Sequence, residues 1–118
     1  MRLNIFVEKI KNQPARLEFE DVMALIDAHY TYTETAFSNG VEGDRLENGA
    51  GENAGSCRIF AFSQLLGLNE QETLACFGRY YRDDVLAHPE GSDHGNIRTF
   101  MRHGWQGICF EKSALEAK

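Results

Sequence analysis

The 118-residue chain lacks an apolar run of membrane length, a run of five like charges, and any C-x-x-C or H-x-x-x-H pair. The first absence excludes a conventional spanning helix, which needs about 20 consecutive apolar residues. The second excludes a charged tail of the kind that grips nucleic acid or lipid headgroups. The third argues against a structural zinc site and against two metal-ligating histidines on one helical turn. Cys57, Cys76 and Cys109 are odd in number and widely spaced, which suits a reducing cytosol better than a disulfide framework. Glu8 and Lys9 interrupt the N-terminal apolar stretch too early for a secretory h-region. Gly49-Ala50-Gly51 is not followed by the Lys-Ser/Thr of a phosphate loop. No internal repeat, linker or low-complexity block interrupts the chain, so residues 1–118 read as one soluble domain.

What is present supports a packed core. Apolar residues make up 42% of the chain and aromatic residues 11%, enough to bury a hydrophobic centre at this length. Phe60, Phe62, Leu65, Leu66, Phe77, Phe100 and Trp105 are its expected contributors. The formal net charge of −6 repels a phosphate backbone and argues against nucleic acid or an anionic membrane as partner. No cofactor is implied by any motif.

Periodicity gives an α+β reading, predominantly helical. About five helices are expected, with a small antiparallel sheet of two or three strands. Leu3–Lys11 and Phe19–His29 carry apolar stripes at helical spacing, the first stopped by Pro14. Tyr30–Phe37 is rich in strand formers, Ser38-Asn39-Gly40 reads as a turn, and Val41–Leu46 as a returning strand. Ser56 is the expected N-cap of a helix that reaches Leu66 and closes at Gly67. Asn69 with Glu72 forms a capping-box pattern that opens a helix through Leu74, Phe77, Tyr81 and Val85. Ser92 or Asp93 caps a last helix bearing Ile97, Phe100 and Met101, and Gly104 stops it. The end of Trp105–Phe110 alternates like a short strand, and residues 111–118 read as a polar, frayed tail.

Four groups of residues bear on chemistry. Cys57 falls in the first turn of its helix, beside Arg58, where the positive dipole end favours a thiolate. A cysteine hydrolase or transferase would use it with His94 or His103 as base, and Asn53 or Asn96 to orient groups or stabilise charge. The plain alternative is a small apolar side chain packed at a helix start. Metal binding would need His29, Asp93 and His94 gathered from separate elements, and the spacing does not demand it. Arg79 and Tyr80, in the run Arg79–Asp84, are types favoured at interfaces, against the plain reading of a solvated helix face. Asn53, Asp93 and Asn96 sit near element ends, where capping competes with a polar pocket as their purpose. The preferred reading is a protein- or ligand-binding surface near Asn53–Arg58 and Asp93–His103.

Three segments carry a family resemblance. They are ENAGSCRIFAFSQLLGL at Glu52–Leu68, ETLACFGRYYRDDVLAHPEGSDHGNIRTFMRHGW at Glu72–Trp105, and IDAHYTYTETAFSNG at Ile26–Gly40. On these residues the chain resembles the HopJ type III effector family. The resemblance implies a bacterial cytoplasmic protein that a type III system delivers into a host cell, with a host or bacterial protein as partner. It supplies no catalytic residues to carry over.

Overall fold

Residues 2–118 are described by a computed structural model. Helix α1 (Leu3–Asn12) buries Phe6 and Ile10 and ends before the 3-10 turn opened by Pro14. Helix α2 (Phe19–His29) buries Val22, Leu25 and Ile26 along one stripe. The chain is α+β and predominantly helical, as its periodicity indicates, but its strands form two antiparallel sheets. The smaller pairs β1 (Tyr30–Tyr32) with β5 (Leu115–Ala117). The larger has the order β3-β2-β4, built from β2 (Phe37–Val41), β3 (Asp44–Asn48) and β4 (Cys109–Phe110).

Two strand-level expectations are corrected here. Asn39 and Gly40 lie inside β2, and the hairpin turns at Glu42–Gly43, where Gly43 takes φ 91°. Burial overrides local turn chemistry at this point: Asn39 is fully buried and its amide bonds into α5. Residues 111–118 are not a frayed tail. Ala114 and Leu115 are buried, and Tyr30 pairs with Ala117. Two apolar side chains and a strand partner outweigh the polar average of the segment.

Helix α3 (Ala54–Leu66) is the central element. Phe60 and Phe62 are both completely buried, on different sides of the helix. The Phe60 ring lies 5.0 Å from Phe100 and 5.6 Å from Phe77, centroid to centroid. Phe62 meets Phe6 at 5.4 Å and Tyr30 at 5.8 Å. Each such burial is worth roughly 2–3 kcal/mol, so α3 joins the two halves of the core. Leu65, expected inside, is exposed. The helix closes as its sequence indicates, with Gly67 left-handed and Leu68 N–H bonded to the Ser63 carbonyl.

The next helix is shorter than its pattern. Asn69 and Glu72 form the expected capping box, but α4 (Glu70–Ala75) stops at a turn through Gly78. A π-helical segment, Tyr80–Val85, then resumes, marked by the Leu86 N–H bond to the Tyr81 carbonyl. Gly78 has φ 60°, and a Cβ there would meet the Phe19 backbone nitrogen at 2.7 Å. The break lets the start of α2 approach the chain and swings Tyr80 to a different face. Helix α5 (Gly95–His103) then packs across β2 and β3 and ends at Gly104, where a 3-10 turn (Gly104–Gly107) leads to β4.

Gly78→Ala is expected to cost about 2–3 kcal/mol, from the left-handed backbone and the clash with Phe19 acting in the same direction. Urea unfolding measures it; a loss under about 0.5 kcal/mol would show that the turn relaxes freely.

Candidate functional site

Helices α3 and α5 both start in an uncommon way. Among the described residues, Asn53 (φ 50°) and His94 (φ 53°) are the non-glycine residues with left-handed backbone. Each is the residue immediately before one of these helices. An N-cap side chain ordinarily reaches the free N–H groups of the first turn from an extended backbone. A left-handed backbone turns the side chain away, and neither Asn53 nor His94 makes a cap bond. The expected caps, Ser56 for α3 and Ser92 or Asp93 for α5, are not the N-caps: α3 begins two residues before Ser56, and α5 begins after His94.

Both side chains are engaged elsewhere. Asn53 Nδ2 donates to Asn48 Oδ1 at 2.7 Å. His94 Nε2 lies 2.9 Å from Asp84 Oδ2, and the ring packs 5.3 Å from Tyr80. The first-turn N–H groups of both helices are therefore left without side-chain acceptors.

A buried amide network fixes this geometry. Asn96 Nδ2 donates to Asn48 Oδ1 at 3.0 Å, the same oxygen that receives Asn53. Asn48 Nδ2 donates to Asn96 Oδ1 at 3.3 Å and to the Phe37 carbonyl at 3.4 Å. From β2, Asn39 Nδ2 donates to the Asn96 carbonyl and to Asn96 Oδ1 at 2.9 and 3.0 Å. Asn39, Asn48 and Asn96 are all at least nine-tenths buried. Four asparagines thus tie the hairpin to the starts of both helices.

A cavity of about 560 Å³ opens where these starts meet. Its polar wall includes Asn48, Asn53, Ser56, His94 and Asn96, with Glu47 at the strand edge. Phe19, Phe77 and Tyr80 form an aromatic wall, with Phe19 and Tyr80 edge to face at 5.2 Å. The volume lies within the usual range for small-ligand sites, roughly 300–1,000 Å³.

Of the residues singled out in the sequence, Asn53, Tyr80, His94 and Asn96 come together here. The others do not line the cavity. Arg79 pairs with Glu20 at 2.5 Å and lies over the Tyr80 ring at 4.8 Å. Asp93 pairs with Arg98 at 2.7 Å, and that guanidinium holds its carboxyl below the usual range. Arg58 pairs with Asp27 and covers the Tyr32 ring at 5.0 Å. His103 bonds Asp44 at 2.6 Å, and Arg102 with His103 lowers the Asp44 carboxyl to about 2.

Cys57 takes the plainer of its two readings, a small side chain packed at a helix start. Its N–H is already bonded to the Asn53 carbonyl, and its side chain is buried at 1% exposure. Burial raises the thiol pKa, outweighing the opposing effects of Tyr32 and Arg58. The thiol faces Tyr32, whose buried hydroxyl has no well-formed hydrogen bond, and no histidine is among the groups acting on it. The Cys57–His94 and Cys57–His103 pairs are therefore not assembled. His29, Asp93 and His94 are not gathered either: no cluster of three metal-ligating side chains forms among the described residues.

Sequence reasoning missed Asn48, Glu47, Asp84 and Phe19 as parts of the site. Asn53 carried a usable signal, because asparagine is enriched in left-handed backbone. Asp84 carried none, since its partner is ten residues away across the Pro89–Ser92 turn.

Residues 3–115 match the family model described as HopJ type III effector protein. The chain superposes with a TM-score of 0.94 on the crystal structure of VPA0580, a protein described as of unknown function. The two are 52% identical, over 100% of this chain and 95% of the other. No curated protein matches the sequence. Among the described residues, no helix is long and apolar enough to cross a membrane.

In native protein, iodoacetamide is expected to modify Cys109, which is exposed, while Cys57 and Cys76 stay protected. Burial pushes the Cys76 thiol up to about 12. Peptide mapping by mass spectrometry should find Cys57 at least ~100-fold slower than Cys109. Comparable rates would restore a reactive Cys57.

Proposed function

The chain belongs to the HopJ type III effector protein family, and from that premise we propose that it is a binding domain whose cavity at the starts of α3 and α5 takes a small polar ligand. One observation carries this reading: two helices that begin far apart in sequence open into the same cavity with both capping side chains turned aside. An uncapped helix start leaves N–H donors that need an acceptor, and water or a ligand supplies it. Left-handed backbone at a non-glycine residue costs about 1–3 kcal/mol and persists where surrounding structure imposes it, often at functional sites. Here the amide network and the Asp84–His94 bond impose it twice, on one cavity.

Binding, not covalent catalysis, fits the side chains present. The Cys57 thiol is buried and does not line the cavity, and the polar side chains that do are amides, a hydroxyl and an imidazole, with Glu47 at the strand edge. The family's description supports synthesis in the bacterial cytoplasm and action in a host cell after type III delivery. A reporter fusion assayed for type III-dependent transfer tests that part separately.

The binding reading predicts where ligands land. Titrating a small polar fragment mixture into 15N-labelled protein should move the amides of residues 54–56 and 95–97 and of Tyr80. Ser56→Trp, which fills the cavity from the first turn of α3, should abolish those shifts while the circular dichroism stays native. Shifts confined to the separate groove beside Ile10, Tyr81 and Leu86, or no shifts at all, would contradict the reading.

A further inference from the structure

The chemistry of the cavity narrows its occupant. We propose that it takes a neutral, polyhydroxylated, sugar-like ligand, one of whose hydroxyls donates to Nδ1 of His94. This inference rests on the cavity being a ligand site, and adds the ligand class.

His94 lines the cavity and uses Nε2 on Asp84 Oδ2 at 2.9 Å. An ionised carboxylate only accepts, so the neutral imidazole sits there as the Nε2–H tautomer. That leaves Nδ1 with a lone pair, and it has no hydrogen-bond partner among the described residues. Asp93, 3.9 Å from Nε2, reinforces the same tautomer. Asp84 is the positioning residue; Nδ1 is the atom that meets the ligand.

Other groups ask for the same dual chemistry. Glu47 meets the cavity at the strand edge, its side chain pointing to the opposite face of the sheet from those of Leu46 and Asn48. Its backbone adds a donor and an acceptor. The two-residue turn makes Val41–Asp44 a hydrogen-bonded pair, so Glu47, opposite Ser38, is a non-bonded position in the ladder. Its N–H and C=O therefore point away from β2, toward the free edge of the sheet, since β3 is an outer strand. The Ser56 hydroxyl both donates and accepts.

Acceptors and donors thus alternate around one space. A carboxylate or phosphate would satisfy the donors but leave His94 Nδ1 and the Glu47 carbonyl without a donor, in a chain of net charge −6. An ammonium would satisfy those acceptors but oppose the N–H donors of the two helix starts. A hydroxyl donates and accepts at one atom and carries no charge, so it meets both. The aromatic wall of Phe19, Phe77 and Tyr80 suits the C–H face that a pyranose presents beside its hydroxyls.

Long-range 1H–15N imidazole spectra above pH 8 test the first step, with His94 expected in the Nε2–H form and Asp84→Ala giving a tautomer mixture. Methyl β-glucopyranoside and methyl α-mannopyranoside are then titrated to about 100 mM, with acetate and phenol as comparison probes. At least one glycoside should move the amides of residues 54–56 and 95–97 and the His94 Nδ1 resonance. His94→Gln and Asp84→Ala should each weaken that binding at least ~5-fold. An Nδ1–H tautomer in the native protein would overturn the proposal. So would shifts from acetate or phenol without shifts from either glycoside, although the cavity would then stand as a ligand site. Silence from all four probes would overturn the ligand class and the cavity reading alike.

Discussion

The buried amide network is the constraint on which the rest of this structure depends. Asn48 Oδ1 accepts from Asn53 at 2.7 Å and from Asn96 at 3.0 Å, so one oxygen joins the starts of two helices. Buried amides are costly without partners and specific with them, because each allows few satisfying arrangements. This network has one evident shortfall, the unpaired Asn39 Oδ1. Its other bonds fix β2, β3, α3 and α5 relative to one another. The aromatic core holds these elements together by burial, which is non-directional. The asparagines select the rotation and register at which they meet.

The open cavity follows from that selection. With Asn53 drawn to Asn48 and His94 drawn to Asp84, neither residue can cap its own helix. An ordinary serine or aspartate cap would be more stable by about 1 kcal/mol per helix and would occlude the same donors. Stability given up at two neighbouring helix starts is the pattern expected where a protein keeps polar groups available to something else. The thiol that drew notice in the sequence is turned away from the cavity and buried, facing Tyr32.

Much of the fold was legible because its signals are local. Pro14 ends α1, Asn69 and Glu72 box the start of α4, and Gly67 and Gly104 close their helices, each through the backbone of a few neighbouring residues. The errors arise where distant contacts override such signals. Asn39-Gly40 has turn chemistry but is held in a strand by Asn96, 57 residues later. The tail's polar composition hides Ala114 and Leu115, which gain burial only once β1 is in place. Helix periodicity continued through Gly78, yet Gly78 takes a left-handed backbone where the start of α2 comes close, and the helix breaks there. The site was half legible for the same reason. Asn53, Tyr80, His94 and Asn96 drew notice as residues at element ends or as interface types, whereas Asn48 and Asp84 acquire roles only through partners that folding delivers. The family resemblance was plain in the sequence and holds over residues 3–115, while the chemistry of the site had to be read from geometry.

The coupling between Asn48 and Asn96 tests the account most directly. A double-mutant cycle with Asn48→Ala and Asn96→Ala, followed by urea unfolding, isolates it from the burial each side chain loses alone. A network that sets the junction predicts a coupling energy of at least ~1 kcal/mol, with each single substitution costing about 2–3 kcal/mol through the amides it orphans. Additivity within about 0.5 kcal/mol would contradict it, and would mean that packing alone places the two helix starts.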